Sequence, residues 1–122
     1  MKTILLPTDF SENSWNAIKY ALNFFENSIC TFYLLHVNTL NYAMAEGSLY
    51  MDTDDLVEKT FIKPSKLQLR LTLKRISQEF PVNKNHHFFV LTDYNFFIDS
   101  IRKYVDEMKI DMIIWELKEP LV

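Results

Sequence analysis

Glycine is almost absent from this chain of 122 residues, which contains only Gly47. The phosphate loops of P-loop and dinucleotide-binding proteins need several glycines at fixed spacing. Their backbone N–H groups must approach the phosphate closely, and some of their residues adopt positive φ. The sequence therefore excludes such loops. Cysteine is equally rare: Cys30 is alone, so no disulfide forms within the chain, as suits a reducing compartment.

Clustered charge and long apolar runs are also lacking. The 13 Lys and Arg and 16 Asp and Glu give a net charge of −3 without a basic cluster, so no nucleic-acid partner is expected. The apolar start stops at Pro7, far short of a secretory signal, and no run approaches the length of a membrane span. With 48% hydrophobic residues, we expect a single cytoplasmic domain over residues 1–122 and no membrane partner.

The apolar pattern alternates between short runs typical of buried strands and amphipathic stretches typical of helices. The predicted strands cover residues 3–6, 29–37, 86–91 and 112–115. This alternation predicts an α/β fold, a doubly wound parallel sheet with helices on both faces and right-handed crossovers. Residues 38–53 show no clear period and are expected to form a long connection.

Three helical segments are predicted between these strands. The first begins at an N-cap, Ser11, and ends at 27–28; the third is expected to be capped by Thr92 and Asp93. The second begins near Asp55 and is kinked or divided by Pro64. Residues 67–73 alternate as a strand would, but a longer helical stripe favours a helix. That stripe consists of Leu69, Leu73, Ile76 and Phe80.

Several segments resemble the universal stress protein family. The opening MKTILLPTDFS, residues 1–11, looks like the first strand and turn of that family, and residues 15–22 fit its first helix. YLLHV at 33–37 and DMII at 111–114 are similar to its second and fourth strands. The resemblance covers roughly residues 1–115. It implies the adenine nucleotide alpha hydrolase-like fold, a parallel sheet with strand order 3-2-1-4-5.

The resemblance also implies a position for a nucleoside site. In nucleotide-binding members, the aspartate of the first turn and the backbone after the second strand hold the nucleoside. By position, these contacts correspond to Pro7, Thr8, Asp9 and Val37 in this chain. Asp9 is equally well explained as a residue that caps the turn into the first helix.

The family's phosphate site has no counterpart here. Its glycine-rich loop directly follows the fourth strand, where this chain has Glu116 instead of the usual glycine. A carboxylate roughly 6 Å from a phosphate, at a dielectric constant of about 20, opposes binding by on the order of 3 kcal/mol. We therefore expect no cofactor, with ATP or AMP binding weakly if at all.

The resemblance further implies a protein partner. Residues 116–122 are too few for the family's fifth strand and last helix, so the fourth strand is expected to be an exposed edge. Family members commonly dimerise through the last strand. We therefore expect a homodimer or another protein partner on the edge strand Met112, Ile113, Ile114 and Trp115. A truncated gene product or a dissected half of a tandem protein is the alternative.

No catalytic or metal site is predicted. His36 lacks a nucleophile or second catalytic partner at a matching position, and adjacent strand residues such as His86 and His87 point to opposite faces. Helix capping explains the aspartates at 52, 54 and 55 better than calcium binding. We therefore expect a non-enzymatic domain that works through dimerisation or partner binding in a stress response. The alternative is an ATP- or AMP-binding sensor whose phosphate contacts come from a partner chain or a missing segment.

Overall fold

The computed structural model describes residues 1–39 and 54–116. Its elements follow the order β1 (Lys2–Pro7), α1 (Glu12–Phe24), β2 (Cys30–Thr39), α2 (Asp54–Val57), a π-helical turn (Glu58–Ile62), α3 (Lys63–Glu79), β3 (His86–Asn95), α4 (Phe97–Glu107) and β4 (Met112–Ile113). The strands form one parallel sheet in the order β3-β2-β1-β4. The predicted α/β fold is therefore confirmed.

The strand order reverses at β1. Strand β2 pairs with β1 from Lys2↔Cys30 to Pro7↔Leu35, whereas β4 lies on the other side of β1 and pairs only at Ile4↔Met112 and Leu5↔Ile113. Loops that leave the two sides of such a reversal diverge, and the crevice between them binds ligands in open α/β sheets. The carboxyl ends of β1 and its neighbours are therefore the part of the fold to search for a site.

The core lies on both faces of the sheet. Helices α1 and α3 cover one face, and α4 covers the other, as expected when the crossover direction changes after β3. Burying one Leu or Ile side chain stabilises the fold by roughly 1.5–3 kcal/mol, so these two clusters supply most of the driving force. The buried residues of the first face are Ile4, Leu6, Trp15, Ile18, Ala21, Leu22, Phe25, Cys30, Phe32, Leu34, Leu69 and Ile76. Those of the second are Leu5, Leu35, Val37 and Tyr104.

Helix α3 shows which of two competing patterns decides the local structure. Leu69 and Ile76 are buried, whereas Leu67 and Leu71 are 57% and 51% exposed. Burial thus follows the helical stripe, and the alternation of residues 67–73 has no structural counterpart. Pro64 lies in the first turn of α3, directly after a π-helical turn. The predicted break takes the form of the π-helical turn that precedes it.

Strand β3 is longer than predicted. Thr92 and Asp93 belong to the strand and do not cap α4; the N-cap is Phe96, which makes no side-chain capping bond. The reason is the pairing with β2, which continues in register to Thr39↔Asn95. Backbone pairing over ten residues therefore overrides the capping preference of the polar residues.

Other predicted boundaries also change. Strand β2 begins at Cys30 and continues to Thr39, and α1 ends at Phe24 rather than at residues 27–28. Strand β4 contains only Met112 and Ile113, whereas residues 112–115 were predicted. These are the two residues that pair with β1, which is the only neighbour of β4 among the described residues.

Candidate functional site

The structure brings the predicted nucleoside residues to one edge of the sheet. Pro7 ends β1 and is buried, Thr8 donates its N–H to Leu35 O at 2.8 Å, and Val37 follows two residues later on β2. Strand β1 ends opposite Leu35, so no described strand lies beside β2 on that side from Val37 onwards. Asp9 is exposed at the same edge. Backbone and carboxylate groups thus meet at the strand reversal.

Asp9 is tied to the start of α1. Its Oδ1 accepts hydrogen bonds from the Ser14 hydroxyl at 2.6 Å and from the Ser11 N–H at 3.0 Å. The side chains of Ser11 and Ser14, in that order, and smaller backbone contributions lower the pKa of Asp9 from 3.8 to about 2, outweighing the opposite effect of partial burial. Ser11 in turn accepts from Ser14 N–H and is the N-cap, as predicted. Asp9 is therefore held to the first turn of α1 through its Oδ1 atom.

His36 is held by the same turn. Its Nδ1 lies 2.8 Å from Thr8 O, and its ring stacks on Phe10 with centroids 4.5 Å apart. Because a carbonyl only accepts, Nδ1 is the protonated nitrogen. Phe10 has φ of 68°, in the left-handed region that non-glycine residues rarely occupy. His36 is thus a strand histidine whose ring is engaged by protein groups, and Phe10 packs on protein.

A second polar cluster lies where β2 and β3 end, and the sequence did not reveal it. Ser65, nearly buried in α3, lies 2.6 Å from the Thr92 hydroxyl and donates to Ile62 O at 3.0 Å. Asn38 Nδ2 donates to Ser65 Oγ at 3.3 Å and to Asp93 O at 3.1 Å. The cluster fixes the start of α3 to both strands. Asn38 and Thr92 follow predicted strands, but nothing in the pattern points to Ser65.

Asp93 adds a further charge to this edge. Its Oδ2 accepts from the Ser100 hydroxyl at 2.8 Å and lies 3.4 Å from Lys103 Nζ. The carboxylate thus joins β3 to α4 in place of the predicted backbone cap. Partial burial opposes the charge of Lys103, but Asp93 and Tyr104 outweigh it and raise the pKa of the ammonium group. At neutral pH, Asp93 is therefore balanced by a cation.

Comparison with known proteins identifies the family. The model of the universal stress protein family matches residues 1–116. The chain belongs to the universal stress protein family. No protein sequence of curated function matches it. Membership supports a role in the stress response.

Solved universal stress proteins and related structures share the fold. Universal stress protein UspA from Lactobacillus plantarum has a TM-score of 0.67 at 17% identity, over 98% of this chain and 81% of that one. Hypothetical protein MJ0577 has a TM-score of 0.69 at 20% identity, over 93% of this chain and 72% of that one. Hypothetical protein PH0823 has a TM-score of 0.63 at 23% identity, over 99% and 79%. At these identities the likeness shows the fold.

The segment that follows β4 has an unusual backbone conformation. Glu116, three residues after β4, has φ of 45°. Glycine adopts this left-handed conformation without a steric penalty, whereas it costs other residues roughly 1–2 kcal/mol of conformational free energy. The chain therefore keeps a left-handed turn at the position where the resemblance expects a glycine, but places a carboxylate there. Trp115, just before it, packs against Phe97 with ring centroids 4.8 Å apart and is 47% exposed.

The remaining candidates have structural roles. Cys30 is fully buried, and burial raises the pKa of its thiol, as fits a core residue. His86 Nε2 bonds to Phe25 O at 2.8 Å, so this nitrogen is engaged within the protein. The described residues contain no cluster of three potential metal ligands. Asp52 lies outside the described residues, as do the side chains of Asp54 and Asp55. No helix among the described residues is long and apolar enough to span a membrane.

Proposed function

We propose that this universal stress protein is a non-enzymatic cytoplasmic domain that acts through dimerisation or protein-partner binding, with no or weak nucleotide binding. The observation that carries the proposal is the apolar surface of β4. Met112 is 40% exposed, Ile113 is 43% exposed and Trp115 is 47% exposed. A reducing compartment suits the single buried thiol of Cys30.

The geometry of β4 makes it suitable as an interface. Among the described residues, β4 pairs with β1 alone, through contacts such as the 3.0 Å bond from Ile114 N–H to Leu5 O. Its other edge is open to a further strand, and open apolar edges favour pairing with another chain. Asp111 anchors the start of β4, since its Oδ2 accepts from Thr3 N–H at 2.8 Å. A second copy would meet a fixed strand instead of a frayed end.

The negative charges at the carboxyl edge oppose phosphate binding and therefore support the proposal that a nucleotide binds weakly or not at all. Asp9 has a pKa of about 2 and is therefore ionised at neutral pH. Glu116 adds a second carboxylate at the left-handed turn after β4. Neither offers a phosphate the backbone N–H donors or cations that it requires. The carboxylate of Asp9 and the backbone of Val37 suffice for contact with a nucleoside, but they provide little affinity alone.

A second candidate function is an ATP- or AMP-binding stress sensor. It is favoured by the exposed carboxylate of Asp9, which lies at the strand reversal. In that case the phosphate contacts come from a partner chain or from a segment outside the described residues.

Sedimentation velocity of the Ile113→Lys variant tests the proposed interface. Lysine on an edge strand opposes pairing between strands, so the variant should sediment as a monomer while the natural chain sediments as a dimer. Leu67→Lys is the matched control, because Leu67 is also exposed but lies on α3, and it should leave the dimer intact. Equal sedimentation of the natural chain and both variants would exclude β4 as the interface.

A further inference from the structure

A second concave region lies at the opposite end of the sheet, where the strands begin. It is a cavity of about 680 Å³ between the ends of α1 and α3 and the start of β3. Small-molecule sites typically occupy about 300–1,000 Å³. Neither the family's nucleoside position nor the β4 edge is part of its lining. Its volume alone makes it large enough for an organic ligand.

The walls of this cavity are mainly apolar. Leu22 on α1 and Ile76 on α3 are buried residues of the core. Phe88 on β3 stacks on Phe32 at 5.4 Å, and Phe80 contacts the Trp15 ring edge-on at 6.4 Å. The cavity is thus continuous with the hydrophobic core. A ligand placed there would extend the packing of the core.

Hydrogen bonds fix one wall of the cavity. Asn83 Nδ2 donates to Glu26 O at 2.8 Å, and Asn83 Oδ1 accepts from Asn85 N–H at 2.9 Å. His86 Nε2 donates to Phe25 O at 2.8 Å. These bonds tie the segment before β3 to the carbonyls that follow α1. The wall formed by the segment before β3 is therefore fixed to the end of α1 by directional bonds.

The same bonds define the chemistry of the ligand. The Asn83 amide and His86 Nε2 are already engaged within the protein, and the Ser77 hydroxyl donates to Lys74 O at 2.7 Å. The charged groups of the lining, Glu26 and Lys84, are exposed and opposite in sign. A charged ligand would lose its hydration without gaining a dedicated partner, whereas an apolar one loses no hydrogen bonds.

We propose that this cavity binds a small, uncharged, mainly apolar molecule with a body of one or two aromatic ring systems. The aromatic rings of Phe80 and Phe88 suit edge or offset contacts with such a body. This site lies apart from the proposed dimer interface and from the carboxyl edge. The ligand proposal and the proposed function can therefore be tested separately, and one can be wrong while the other holds.

Fluorescence titration of the full chain with N-phenyl-1-naphthylamine tests the proposal, since this neutral probe, with two aromatic ring systems, brightens in apolar surroundings. We expect saturable binding of one probe per chain. Ser77→Phe places a ring in the cavity from an exposed helical position and should weaken binding at least tenfold. Gln78→Phe is the control: it adds the same ring at the neighbouring exposed position, outside the lining, and should leave binding unchanged. Thermal melts establish that both variants fold.

A charged analogue tests the chemical class. 8-Anilinonaphthalene-1-sulfonate carries the same ring body plus a sulfonate, and it should bind at least tenfold more weakly than the neutral probe. The proposal is overturned by absence of saturable binding, by equal affinity for the two probes, or by equal effects of Ser77→Phe and Gln78→Phe. Loss of binding as the protein concentration rises would also overturn it, because a second copy would then occupy the cavity.

Discussion

The Ser14 hydroxyl donates a 2.6 Å hydrogen bond to Asp9 Oδ1 and thereby joins the first turn of α1 to the end of β1. With the bond from Ser11, it lowers the pKa of Asp9 from 3.8 to about 2. A pKa that is lower in the folded chain than in the unfolded chain stabilises the fold at pH values above the unfolded pKa. That contribution is lost as the pH falls from about 4 towards the folded value of about 2.

Replacing Ser14 tests this relationship. In Ser14→Ala, the pKa of Asp9 should rise, and the free energy of unfolding should depend less on pH between about 5 and 2. We expect the pH-dependent part to shrink by about 1 kcal/mol or less, because Asp9 is exposed and water screens its interactions. Carboxyl NMR titration and urea unfolding measure the two effects. Ser77→Ala, distant from Asp9, is the control; an unchanged Asp9 titration in Ser14→Ala would contradict the account.

Arg75 covers the indole of Trp15. Its guanidinium carbon lies 4.0 Å from the ring centroid, and its Nε donates to Glu79 at 2.8 Å. Arg75→Ala should lower the free energy of unfolding by about 1 kcal/mol, through lost cation–π and packing contacts. Urea unfolding followed by tryptophan emission measures this loss. Arg70→Ala, at an exposed position of the same helix, should change stability by less than about 0.5 kcal/mol. Equal effects would show that the stacking contributes nothing.

Lys109 follows α4 with φ of 53°, a left-handed conformation that favours glycine. Lys109→Gly should therefore stabilise the protein by up to about 1 kcal/mol, after the greater freedom of glycine in the unfolded chain is subtracted. Lys109→Ala keeps the unfavourable φ and should give no gain. Thermal unfolding of the two variants provides the comparison, and a lower melting temperature for Lys109→Gly than for Lys109→Ala would refute the explanation.

The sequence was sufficient to predict secondary structure where one periodic pattern dominated. The helix predicted after Ser11 is present as α1, and helical spacing brings Trp15, Ile18 and Leu22 together on its buried face. The order of the described strands followed from the resemblance. Secondary structure was harder to predict where two sequence patterns competed. Thr92 and Asp93 have the polarity of a cap, and only pairing with β2, distant in sequence, makes them part of β3.

The polar side chains of the site were less predictable than the strands that carry them. The sequence located Asp9 but left two roles open, and the structure shows the bonds that tie its Oδ1 to the start of α1. Ser65 was not predicted at all, since its partners Asn38 and Thr92 each lie 27 positions away in sequence. Such clusters depend on tertiary contacts that no local pattern encodes.

Calorimetric titration of the purified chain with ATP and, separately, with adenosine is the decisive measurement. If this universal stress protein lacks a functional phosphate site and works through a partner on β4, ATP at millimolar concentration gives no heat of binding. Adenosine then binds at most weakly, through Asp9 and Val37. Clear ATP binding in the micromolar range would contradict this function. Phosphate contacts would then come from residues other than those described, and the sensor function would take its place.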